Sequence, residues 1–200
     1  MRPPHQRDPQ GLHREDSGVV PSQRDGDEGA SPKNPDEHRL VTARGGLFYL
    51  LNLLNLPAAQ ELLADQPLHG LAAGWIWLYQ LGRALGCEPD EPLASFLAAE
   101  AGLTDRFALE DLAPAPDLPM LLRLGTARYG EAVFNGELCD LPALVATTLS
   151  HLDLHFRMED VRVRVRRVAL DVNPGWLPWL GRVVTFHYRG APELAAWGRP

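Results

Sequence analysis

Apolar residues recur every three or four positions across residues 45–104 and every two positions beyond residue 150. That change of period predicts helices first and strands afterwards. From Gly45, Leu47, Leu50, Leu51 and Leu54 fall at helical spacing, while Asn52 and Asn55 share another side. Asn55-Leu56-Pro57 suits a cap and first turn for a short helix through Leu63. Residues 71–85 set Leu71, Trp75, Leu78, Gly82 and Leu85 on one face. Trp77 and Leu81 make the opposite side apolar too, so this helix is expected to be central, with Gly86 stopping it. Asp90-Glu91-Pro92 opens a fourth helix that turns Leu93, Phe96, Leu97 and Ala101 inward before Gly102 closes it.

Ala113-Pro114-Ala115-Pro116 reads as a rigid connector, residues 120–134 fit helix and strand equally, and residues 141–149 predict a short helix. Beyond them Leu152, Leu154, Phe156 and Met158 alternate with His151, Asp153, His155 and Arg157. Val161, Val163 and Val165 alternate with Arg162, Arg164 and Arg166, and Val184, Phe186 and Tyr188 alternate with Val183, Thr185 and His187. Three strands are expected. A hairpin at Glu159-Asp160 would set Asp153 opposite Arg166 and His155 opposite Arg164, with every apolar residue on one face. Asp171 to Pro178 reads as a Pro-Gly turn carrying Trp176. The expected fold class is α+β, with N-terminal helices packed on a small C-terminal antiparallel sheet.

Composition divides the chain. Residues 1–40 contain no Phe, Trp or Tyr and are crowded with Pro, Gly and charges of both signs. Such a segment cannot bury enough apolar surface to offset its ordering entropy, so a disordered tail is expected there. A single domain is expected over 41–190 and a short C-terminal extension over 191–200. A net charge of −7 in 200 residues argues against a general nucleic-acid binder, which needs a basic face. The first residues lack the apolar run of a signal peptide, and the longest apolar stretch, Leu71 to Tyr79, falls short of the ~18 residues of a membrane span. Cys87 and Cys139 make neither a disulfide framework nor a zinc site by spacing, and read as buried or indifferent thiols of a reducing compartment. A cytoplasmic location is expected.

Candidate chemistry is sparse. His151-x-Asp153-x-His155 projects three potential ligands to one side of a strand, and His187 could join them, which suits zinc or iron. The competing reading is a solvated face where Asp153 pairs with Arg166, and no metal and no cofactor are expected. Ser150 beside His151 lacks a nucleophile elbow, and neighbours on a strand point opposite ways, so no catalytic residue is expected there. Neither a phosphate loop nor a dinucleotide-binding fingerprint occurs. Asn52 reads as a satisfied buried amide. Arg162, Arg164 and Arg166 are candidate contacts for an acidic protein partner, because guanidinium groups pair bidentately with carboxylates.

Three segments together carry a resemblance. They are Gly45-Gly46-Leu47-Phe48-Tyr49-Leu50-Leu51-Asn52, His151-Leu152-Asp153-Leu154, and residues 171–178 with Gly181-Arg182-Val183-Val184-Thr185-Phe186-His187-Tyr188. They resemble an uncharacterised bacterial domain encoded in gene clusters of contractile injection systems, the phage-tail-like particles. The similarity runs from about Thr42 to Tyr188. It implies a non-enzymatic accessory or structural protein that works through protein contacts, with particle components as partners. The alternative is a metal-dependent enzyme of unknown substrate built on the His-Asp-His face.

Overall fold

The computed structural model describes residues 37–64 and 71–190, apart from the side chain of Leu71. Residues 1–36 of the expected tail and the expected extension 191–200 lie outside the described residues. The described chain is α+β and belongs to one compact unit, Asn34–Pro200. Its first element is a strand, β1 (His38–Thr42), which starts inside the span expected to be tail.

A 3-10 segment, Gly45–Tyr49, runs directly into α1 (Leu50–Leu54), and Leu47, Leu50, Leu51 and Leu54 are all fully buried. The next helices are α2 (Pro57–Ala64), α3 (Leu71–Ala84), α4 (Glu91–Glu100) and α5 (Arg106–Glu110). Central placement of α3 holds: Trp75, Trp77, Leu78 and Leu81 are buried on both its sides. Gly86 and Gly102 follow α3 and α4 with φ of +86° and +70°, the left-handed backbone that ends a helix. Asp90 has two duties. Its carboxylate accepts the Leu93 N–H to cap α4, and it also accepts from the Thr42 hydroxyl and the Ala43 N–H at the end of β1. The ambiguous stretch resolves as α6 (Leu118–Tyr129).

Three expectations are corrected. Residues 141–149 hold no helix but β2 (Ala143–Thr147), clamped between β1 and β3 (His151–Arg157). Four of its five residues are buried, so the period-two pattern that marks a half-buried strand never shows. Residues 161–166 form no strand. Met158–Asp160 is a 3-10 turn and α7 (Val163–Arg167) follows, with Val161 and Val165 buried four residues apart and Val163 64% exposed. Met158, expected inward, is 45% exposed. Finally, the sheet is mixed, not antiparallel. After β4 (Gly175–Leu177) and β5 (Arg182–Arg189), its strand order is β1-β2-β3-β5-β4, with β5 parallel to β3. A parallel pair needs a crossover, and α7 with the turn after it supplies one in place of the hairpin.

One face of the sheet meets the helices. Leu152, Leu154, Phe156, Val184 and Phe186 point there, and Tyr49 lies edge-on to Phe186 at 5.3 Å. The segments that carry the resemblance are joined on this side. Asn52 Nδ2 donates to the carbonyls of Leu170 and Val172 at 2.8 Å each, Asn173 Oδ1 accepts the Phe186 N–H, and the Tyr188 hydroxyl donates to the Asp171 carbonyl. No single helix among the described residues is long and apolar enough to cross a membrane. One bent pair, Gly45–Leu54 with Pro57–Ala64, passes on length and composition alone, but it turns through 83° and Leu47 to Leu51 lie in the core.

Candidate functional site: the open face of the sheet

Strand alternation sends every second residue to the face opposite the helices. β1 places Arg39 and Val41 there, β2 Leu144 and Ala146, and β3 His151, Asp153, His155 and Arg157. β5 adds Val183, Thr185, His187 and Arg189, and β4 adds Trp176, which lies in register with Val183 and is 57% exposed. Arg39, Arg157 and Arg189 with His151, His155 and His187 thus share a face whose one strand carboxylate is Asp153. Glu37, just before β1, pairs with Arg39 at 2.8 Å.

At the centre, Asp153 Oδ1 and His187 Nε2 are hydrogen-bonded at 2.8 Å. The His155 ring stacks on that of His187, with centroids 4.5 Å apart and planes 15° off parallel. Burial lowers the His155 imidazole to about 4, helped by His187 and Arg189 beside it. A base held neutral in this way contributes apolar surface at neutral pH. Asp153 is therefore committed to His187, and the expected Asp153–Arg166 pairing does not exist. His151 has a different neighbour. Its Nδ1 lies 2.9 Å from the Ser150 hydroxyl, which corrects the expectation that the two could not meet. Ser150 sits in the turn before β3, where strand alternation does not apply. The pair is exposed, and both backbone N–H groups are taken by the Thr148 hydroxyl. Among the described residues no group of three or more His, Cys, Asp or Glu side chains converges as metal ligands would.

The arginines singled out from sequence lie elsewhere. Arg162 precedes α7, while Arg164 and Arg166 are on it. Arg162 and Arg164 both bind the Glu137 carboxylate, which these guanidiniums hold below the usual carboxylate range. Arg166 reaches Asp171 at 3.5 Å and lies over the Tyr188 ring, 5.3 Å from its centroid. A shallow recess beside them, lined by Glu137, Leu138, Asp140, Asp160, Arg162 and Val165 among others, has a volume of about 10 Å³, room for roughly one water, and is a poor substrate pocket.

The sequence placed His151, Asp153, His155 and His187 on one open face but not the extent of that face, because the sheet has five strands and β1, β2 and β4 were not foreseen. It also missed that Cys87 and Cys139, both buried, are brought together. The hydrogen bond between the two thiols, added to burial, pushes the Cys139 thiol up. No family model, no curated protein and no solved structure matches the chain.

Proposed function

We propose that the domain is a non-enzymatic protein-interaction module, an accessory or structural component of a contractile injection system, and that it holds an acidic protein partner on the open face of its sheet. The carrying observation is the charge of that face: Arg39, Arg157 and Arg189 against the carboxylates of Asp153 and Glu37, in a chain whose net charge is −7. A cationic face on an acidic molecule selects for a complementary acidic surface and orients its approach. Trp176 at the rim offers a large, rigid apolar anchor of the kind that dominates interface energetics. His151 to Arg157 spans about 20 Å along β3, the scale of one contact patch. The injection-system assignment rests on the resembling segments, two of which are tied together by hydrogen bonds from Asn52, Asn173 and Tyr188. The cytoplasm is the compartment assigned with it.

The test titrates the purified domain with each protein encoded beside it, and with duplex DNA as a separate arm. Binding to one acidic protein, weakened severalfold by raising salt, is the expected result. Binding to DNA alone would replace the protein partner with nucleic acid. Binding to none of these would sink the interaction module.

A further inference from the structure

Cys87 follows the α3 stop, and Cys139 ends the 3-10 segment Gly136–Cys139. Fifty-two positions apart in the chain, these two backbones run against each other. A side chain at Gly136 would meet the carbonyl oxygens of Leu85 at 2.7 Å and Gly86 at 3.3 Å. Only residues without a Cβ permit so close an approach. The two cysteine side chains are 1% and 0% exposed, and the neighbouring Cys87 thiol together with burial pushes the Cys139 thiol up.

We propose that Cys87 and Cys139 are a built disulfide site, closed by exchange with a small-molecule disulfide. One cysteine thiolate attacks the reagent, forming a mixed disulfide and releasing one small thiol. The second cysteine, as thiolate, then attacks the protein sulfur of that mixed disulfide. The S–S bond closes, a second small thiol leaves, and the two cysteine protons end on the two released thiolates. The protein loses two hydrogens and the reagent is reduced by two electrons. Because both thiols are buried, exchange proceeds when this region opens or before the domain closes, so refolding chain reacts far faster than native chain. Closing a loop of this length restricts the unfolded chain, which raises thermal stability.

The experiment refolds the full chain with oxidised or with reduced glutathione and reads intact mass, a peptide map and thermal melting. The expected product has lost two hydrogens, carries one Cys87–Cys139 linked peptide and no glutathione adduct, and melts roughly 5–15 °C higher than the reduced form. Cys87→Ser and Cys139→Ala, made singly, should each abolish the mass loss and the rise. Two glutathione adducts per chain, or a bond that forms without raising the melting temperature, would overturn the proposal. If a single variant misfolds, thiol counting on the native wild-type chain still decides. Two free thiols after oxidative refolding would refute the site.

Discussion

Replacing Asn52 probes the link that ties the first helical segment to the crossover before β5. Its amide donates to the carbonyls of Leu170 and Val172, each at 2.8 Å. Leu170 is fully buried, so its carbonyl has no substitute partner once the amide is gone. Val172 is 54% exposed, and water can take over there. A net hydrogen bond is worth about 0.5–1.5 kcal/mol, with the larger share at the buried end, so Asn52→Ala should cost about 2 kcal/mol. Asn52→Asp keeps the shape but turns a carboxylate oxygen toward two carbonyls, and should cost about 3–4 kcal/mol at pH 7. The assay is urea unfolding followed by tryptophan fluorescence, with the midpoint falling and the slope unchanged. Melting should drop by about 4–8 °C for the alanine variant. An alanine variant within 0.5 kcal/mol of wild type (roughly the error of such fits), or an aspartate variant no worse than alanine, would refute the reasoning.

Asp90→Ala removes a helix cap and the anchor of Thr42 and Ala43 together, so about 2–3 kcal/mol should be lost. Hydrogen exchange should then show β1 amides losing protection before those of β3. Trp75→Ala should cost about 3–5 kcal/mol, since the ring is 1% exposed and meets Phe96 edge-on at 5.5 Å, and calorimetry reads it directly. For His155 the folded value of about 4 lies below the ordinary 6.5, so the unfolded chain binds more protons between the two. Stability from this group is complete above pH 6.5 and is lost as pH falls toward 4. Discounted for solvent screening, the loss is roughly 1–2 kcal/mol, and it should vanish in His155→Gln when both proteins are unfolded at pH 7 and pH 4.5.

Elements with a strong period and explicit stops were legible in the chain. The leucines from Leu47 to Leu54, the Trp75 helix ended by Gly86, the Asp90 cap and the alternation in β3 and β5 all fold as their spacing directs. What stayed hidden depends on partners distant in sequence. β2 lies between β3 and β1, which arrives from a hundred residues upstream, and four of its five residues are buried, so they carry no period to read. Val161, Val163 and Val165 alternate like a strand, yet only Val161 and Val165 are buried. Local alternation lost there to the need for a crossover into the parallel pair. The candidate site suffered most from this. Moving residues 161–166 from strand to helix took the arginines off the sheet and paired two of them with Glu137, while β1 and β4 brought Arg39 and Trp176 to the face that remained open.

The central claim is that a partner is held by the open sheet face and not by the arginines around α7. Isothermal titration of an acidic protein that binds the domain, against two variants, tests it most directly, with circular dichroism as the folding control. The first variant combines Arg157→Glu with Trp176→Ala, and the second combines Arg162→Glu with Arg164→Glu. The first should weaken binding by about 30-fold or more, equivalent to about 2 kcal/mol, while the second stays within about threefold of wild type. Full binding by the first variant together with loss in the second would contradict the account and return the contact surface to Arg162 and Arg164.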